Sequence, residues 1–433
     1  MGQLFMIAAR SLLQHRTRTF LLGAAIAFVT ALLLVLTGIS TGMRDTMLES
    51  ATTLMSGHVN VGGFYKVTAG QSAPVVTDYA KVVALVRREV PELDYVLQRG
   101  RGWAKLISDS GSIQVGLTGV DVANEPGFRK VVVLKEGNLE NLANPNSVLI
   151  FEEQAKKLSV KVGDKLTIAA PTFRGTNNTL DVDVVAIANN IGLMSAFGIF
   201  IGEDAQRTLY QLNDTTTGVV QLHLKDLRQV TAVQERLRKA LANEGYEVMD
   251  ADPRAFWMKF EVVNREAWTG QKLDVTTWED EISFMKWTAT ALTALSVAVT
   301  LILVVIICVG IMNVMWISIR ERTREIGTLR AIGMQRRGVL SMFLTEGFLL
   351  GLCGTALGAL LGLAVSAALN WAHVPVPLSV QLFLMTDHLV LTPTLAWLVF
   401  SVAFITFCIT AVSLVPSYLA ARMRPITAMH HIG

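Results

Sequence analysis

The chain has 433 residues, 52% of them hydrophobic and 17% charged, with 38 basic side chains against 35 acidic ones and a mean hydropathy of +0.45. That length holds several membrane spans and an additional polar region of about 200 residues, and the near balance of charge implies no nucleic-acid partner. All three cysteines, Cys308, Cys353 and Cys408, lie in apolar runs, so there is no disulfide framework to read.

Residues 1–18 carry Arg10, Arg16 and Arg18, with Leu4, Phe5, Ala8 and Leu12 available for one apolar face. This pattern predicts a cytoplasmic interfacial helix leading into a first span at 19–43. A secretory signal peptide is the rival reading. The run Phe20 to Ile39 is longer than the usual apolar core of about 7 to 15 residues, and no A-x-A-like site follows it. An uncleaved anchor with a cytoplasmic amino terminus is expected.

Residues 44–286 change to mixed polar and alternating sequence, which predicts one extracytoplasmic domain. Gly57 to Val61 reads as a strand, Tyr79 to Val90 as a helix buried through Val82, Val83, Leu85 and Val86, and Val96 to Leu106 and Ser112 to Val120 as strands. A second such unit has a strand at Gly218 to Leu224, a helical stripe at Val230, Val233, Leu237 and Leu241 ended by Gly245, and a returning strand at Tyr246 to Met249. These mixed α/β parts, about 57–122 and 217–252, flank a β-rich insertion at about 123–216. Its strand candidates are Val131 to Leu134, Val148 to Ile150, Lys165 to Ala170 and Leu180 to Ala188. Beyond Pro253 the sequence reads as helical and amphipathic through Met285.

The second span, 287–319, has thirty-three residues without Asp, Glu, Lys or Arg. As a helix it would be about 50 Å long against a hydrocarbon core of about 30 Å, so it either tilts or continues as a stalk. The loop at 320–338 follows, with six arginines and two glutamates. Such an excess of positive charge marks a cytoplasmic loop. Ile326, Leu329, Arg330 and Gly333 fall at helical spacing, which predicts an amphipathic surface helix.

The third span, 339–368, contains Glu346, the only carboxylate within any span. It lies about two turns inside the basic loop, close enough to be solvated or paired with an arginine, and a structural role is favoured over a catalytic one. Gly351, Gly354, Gly358 and Gly362 follow; the last three have GxxxGxxxG spacing, which predicts close helix packing without identifying the partner helix. An external loop at 369–388 contains Pro375 and Pro377, a fourth span covers 389–421, and Arg422 and Arg424 begin a cytoplasmic tail at 422–433.

The segment ERTREIGTLRAIG, Glu321 to Gly333, resembles the signature of the MacB/FtsX-type permeases of ABC transporters. SVLIFEEQAKKLSVKVGDKLTI in the insertion and PSYLAARMRPITAMHH near the end also resemble that family, and LMSGHVNVGGFYK after the first span is similar to the LolC/LolE-type lipoprotein-releasing permeases. The resemblance implies an α-helical membrane protein with four transmembrane helices plus a large α+β extracytoplasmic domain. It also implies that Arg320, Glu321, Arg322, Arg324, Glu325, Ile326, Leu329, Arg330, Ile332 and Gly333 form a coupling helix that docks on a separate ATPase subunit.

No Gly-Lys-Ser or Gly-Lys-Thr occurs, so no Walker A loop is present in these 433 residues. The chain is expected to be a non-catalytic permease that binds no cofactor and no metal, with ATP and Mg used by the partner. The seven histidines are dispersed apart from His430 and His431, and no HExxH or CxxC occurs. Implied partners are an ABC ATPase, a second permease copy or related chain, membrane lipids and a periplasmic acceptor. Release of a lipid-anchored substrate is the expected function, with FtsX-like signalling to cell-wall hydrolases and MacB-like efflux as alternatives.

Overall fold

The computed structural model describes residues 6, 10, 14, 16–68, 70–192, 194–377, 381 and 388–423. Leu4, Phe5, Ala8, Leu12, Arg424, His430 and His431 lie outside the described residues, and with them most of the expected interfacial helix and tail. Four described helices are long and apolar enough to cross a membrane: Thr19–Leu54, Thr293–Glu321, Arg336–Trp371 and Leu395–Arg422. The chain divides into two compact units. One is built from residues 1–44, 289–374 and 389–433, the other from 45–288 and 375–388.

Helix α1, Arg16–Leu54, is 39 residues long and ends inside the polar unit. That unit then builds β1 (Val59–Thr68), β2 (Gln71–Ala73), α2 (Tyr79–Glu89), β3 (Leu93–Ile107) and β4 (Ser112–Val120). The middle of the unit holds β5 (Leu134–Gly137), β6 (Ser147–Phe151), α3 (Glu152–Leu158), β7 (Lys165–Pro171), β8 (Asn177–Ala188), β9 (Gly198–Gly202) and α4 (Glu203–Tyr210). It closes with β10 (Val219–Leu224), α5 (Val230–Asn243) and β11 (Gly270–Thr277).

The strands run in the order β11-β1-β10-β3-β4-β9-β6-β8-β5, with β2 beside β1 and β7 beside β3 and β8. The fifteen-residue β3 belongs to both ends of this path. Its first part, Leu93 to Arg99, pairs with β10, and its second part, Gly100 to Ile107, pairs with β4. On one side the apolar stripes of α2 (Val82, Val83, Leu85, Val86) and α5 (Val230, Val233, Leu237, Leu241) are buried. The β-rich side has its own core of Leu106, Val115, Leu117, Ile150, Ile168, Val184 and Ile199 with their neighbours.

Three expectations are corrected here. Tyr246 to Met249 is not a strand; it makes a single bridge, Val248 to Leu273, because β11 already occupies that place beside β1. The sequence between Pro253 and Met285 is not helical throughout. Short helical turns at Phe260–Arg265 and Trp278–Glu281 bracket β11, which pairs antiparallel with β1 from Val59↔Thr277 to Lys66↔Gly270. Val131 to Leu134 is also displaced: Pro126–Val131 is a helical turn with Pro at its start, where a fixed φ favours helix, and the strand begins only at Leu134. Strand β9 was not expected at all.

The apolar unit adds most of α6 (Ser283–Glu321), from residue 289 on, and α7 (Thr323–Ala331), α8 (Arg336–Trp371) and α9 (Leu395–Arg422) to the first part of α1. One core joins Ile26, Val29 and Leu33 of α1, Ile307, Ile311 and Ile319 of α6, Ile326 of α7, Met342, Phe343 and Leu350 of α8, and Ile405 and Ile409 of α9. A core of this kind places a short polar helix, α7, on the bundle through one isoleucine.

Candidate coupling site

Arg320 and Glu321 are the last residues of α6, and Arg322 is the hinge at which α7 begins. The helix is thus nine residues long and shorter than the amphipathic stretch read from the sequence. Its end is set by Gly333, whose φ of 107° is a left-handed conformation that favours glycine. Gly333 N donates to Arg330 O at 3.2 Å and Met334 N to Leu329 O at 3.0 Å, the paired closing bonds of a Schellman cap. Gly333 therefore lies beyond the helix and does not continue its apolar face.

The buried face of α7 consists of Thr323, Ile326 and Gly327. Leu329 and Arg330 are half-buried, whereas Arg320, Glu321, Arg324, Glu325, Thr328, Ile332 and Gly333 are exposed, Ile332 by 80%. Ile332 is thus a large apolar side chain left open at the turn that follows the helix.

Arg322, which is outside the spacing of Ile326, Leu329, Arg330 and Gly333, is nevertheless largely covered. Its Nη1 donates to Glu346 Oε2 at 3.1 Å, its Nε to Glu325 Oε2 at 3.0 Å, and its guanidinium lies 5.4 Å from the Phe343 ring centroid. Glu346, which had no identified partner, is thereby held by the hinge of α7. Glu346 is 3% exposed, so this carboxylate requires a charged or hydrogen-bonding partner. Arg330 makes a second tie: its Nη1 donates to Ala421 O at 2.7 Å and Met423 O at 3.3 Å, at the end of α9. Free carbonyls at a helix carboxyl end favour such a cation. Through Arg322, Ile326 and Arg330, α7 is joined to α8 and α9.

The glycines of α8 determine how closely its neighbours approach. A Cβ at Gly354 would come within 2.9 Å of Ile26, at Gly358 within 2.4 Å of Ala27 O, and at Gly362 within 3.0 Å of Leu34, so the GxxxGxxxG edge lies against α1. Gly351 faces Ile409 of α9, and Gly347, which the sequence reading did not single out, faces Ser413 of the same helix. Gly358 and Gly362 thus bring the backbone of α1 close to α8, whereas α9 meets Gly347 and Gly351 through its side chains. No group of three or more His, Cys, Asp or Glu side chains suited to a metal occurs among the described residues.

An apolar helix bundle joined to a large mixed α/β domain defines a membrane protein with an extracytoplasmic domain. Residues 19–240, more than half of the chain, match the MacB-like periplasmic core domain, and residues 297–425 match the FtsX-like permease C-terminal domain. The chain belongs to the family of MacB/FtsX-type permeases.

Among its relatives is the macrolide export ATP-binding/permease protein MacB of Syntrophobacter fumaroxidans, 34% identical over 148 residues, which are 33% of this chain and 18% of that protein. The protein of the same name from Bdellovibrio bacteriovorus is 37% identical over 109 residues, 24% of this chain and 17% of that one. The chain thus spans less than a quarter of the length of these curated relatives. A solved structure of the periplasmic region of MacB from Actinobacillus actinomycetemcomitans aligns at a TM-score of 0.29 and 10% identity, over 53% of this chain and 94% of that one.

Proposed function

We propose that this chain is the membrane-spanning subunit of an ABC transporter whose ATP hydrolysis is carried out by a separate ATPase subunit. The observation that carries this reading is the construction of α7: an outward face with Glu325 and Ile332, and an inward face tied to α8 by Arg322–Glu346 and to α9 by Arg330. A push on such a helix moves two apolar helices rather than the loop alone. ATP and Mg would be held by the partner, closure of which drives the push, and the permease itself is not an enzyme.

In this reading the basic loop, the amino terminus and the carboxyl tail are cytoplasmic, the mixed α/β domain is periplasmic, and the permease works as a dimer with a second copy or a related chain. Cargo release from the inner membrane fits an energy-coupled machine. At about 0.8 kcal/mol per buried CH₂ one acyl chain holds a protein only reversibly, whereas two or more give stable anchoring, so a multiply acylated protein does not leave unaided. A periplasmic acceptor would receive it. The relatives named as macrolide exporters favour a second reading, in which the periplasmic domain drives efflux through an outer partner.

The test is recovery of the tagged chain in nanodiscs, with mass spectrometry of associated proteins and lipids. An ATPase together with a lipoprotein supports cargo release. An ATPase with an outer-membrane channel or adaptor favours efflux, and an ATPase with a cell-wall hydrolase or its adaptor favours signalling. Absence of any ATPase contradicts the permease reading.

A further inference from the structure

Strand β3 contains the sequence Arg99-Gly100-Arg101-Gly102. Alternation along a strand sends the two arginines to one face and the two glycines to the other. On the glycine face α4 lies so close that a Cβ at Gly100 would meet the Gln206 side chain at 1.3 Å and one at Gly102 the Tyr210 hydroxyl at 2.3 Å. The arginine face meets the ends of both long helices. Arg99, 1% exposed, donates from Nη1 to Leu54 O at 3.0 Å, the last carbonyl of α1, and from Nε to Glu125 Oε2 at 3.1 Å.

Arg101 lies 3.8 Å from Glu281 Oε1, two residues before α6 begins, and its guanidinium is 3.9 Å from the Phe256 ring centroid. Glu281 is fixed in turn by Thr276 Oγ1 at 2.7 Å and by Phe256 N at 3.3 Å. Gly62 makes room for this arrangement, since a Cβ there would lie 2.2 Å from Arg101 Nη2.

Each contact has a physical reason: a cation satisfies the free carbonyls at the end of α1, and a carboxylate precedes the amino end of α6, where negative charge is favoured. Both are presented by one rigid strand, and that strand pairs with β10 through one part and with β4 through the other. We propose that Arg99 and Arg101 are positioning residues that join the ends of α1 and α6 to β3, so that a displacement of either helix reaches both sides of the extracytoplasmic sheet. The permease reading gives this linkage its use, but the linkage itself is a property of the chain alone.

The test restrains α1 against α6 and reads the sheet. Ser40 Oγ and Thr293 Oγ1 are 3.5 Å apart, so Ser40→Cys with Thr293→Cys, in a full-length chain with Cys308, Cys353 and Cys408 replaced by serine, supplies an oxidisable lock. Hydrogen exchange is followed in β4 and β10 with the lock closed and open. Closing it is expected to change exchange in both strands about 5-fold or more, the lower range for coupled sites. With Arg99→Gln and Arg101→Gln, the change is expected to persist in α1 and α6 but to vanish from β4 and β10.

Should that double variant fail to fold, Arg101→Lys serves in its place. It keeps the charge but loses the planar fork, and is expected to weaken the response of the strands without altering thermal stability. A response in β4 and β10 that survives these substitutions, or its absence from the unsubstituted chain, overturns the proposal. Because no ATPase takes part, a chain that shows the response yet recruits no ATPase defeats the permease reading and leaves this one intact.

Discussion

Arg322 occupies a position where charge, packing and chain direction meet, and its removal has a calculable consequence. Arg322→Ala leaves Glu346 buried without this partner, a change that typically costs about 3–5 kcal/mol. Adding Glu346→Gln removes the buried charge itself and should restore part of the loss, which a double-mutant cycle on thermal unfolding in detergent measures. A loss in the double variant equal to the sum of the losses in the two single variants would show that the pair is not coupled. Gly358→Ala belongs to the same scale. Its Cβ would meet the Ala27 carbonyl at 2.4 Å, so destabilisation of about 1–3 kcal/mol is expected by overpacking, whereas Gly310→Ala, with nothing within 4 Å, should leave stability unchanged or raise it. His223, in the polar unit, is pushed down to about 3 by burial, with His58 and Arg99 adding to the effect. Its unfolded form binds a proton near pH 6.5 and the folded form does not, so the polar unit should lose stability as pH falls from about 6.5 to about 3, by up to about 1.4 kcal/mol per pH unit. His223→Gln should flatten that slope, as unfolding midpoints across the pH range would reveal.

At the scale of elements, helices with one clear apolar stripe were legible in the sequence. Val82 to Val86 and Val230 to Leu241 carry a single face each, and both occupy that face in the fold. Strand β11 was missed although Lys272-Leu273-Asp274-Val275-Thr276 alternates polar and apolar as a strand does; its polar positions Asp274 and Thr276 are buried as well, Asp274 against Lys259. Partners of Glu346 and of the α8 glycines were hidden, since sequence spacing specifies a helix face but not the helix opposite it. The ending of α7 depends on a left-handed Gly333, and Gly333→Ala should fray that cap at a cost of about 1 kcal/mol, seen as faster exchange at Gly333 and Met334. Unchanged exchange there would remove the cap from the account.

For the whole molecule, the membrane spans were readable from apolar length and arginine placement and the permease class from the resemblance at Glu321 to Gly333, while cargo is a property of surfaces the chain forms with others. The central claim is that the exposed tip of α7 engages an ATPase and passes its motion to α8 and α9. It is tested most directly by measuring ATPase recruitment to the full chain in nanodiscs for the wild type, for Ile332→Asp, which changes only the exposed tip, and for Arg322→Ala with Glu346→Gln, which cuts the inward tie. The account predicts that Ile332→Asp lowers recruitment at least about tenfold, equivalent to about 1.4 kcal/mol, while the inward variant recruits normally but no longer couples hydrolysis to transport. Normal recruitment by Ile332→Asp together with unimpaired transport by the inward variant would contradict it.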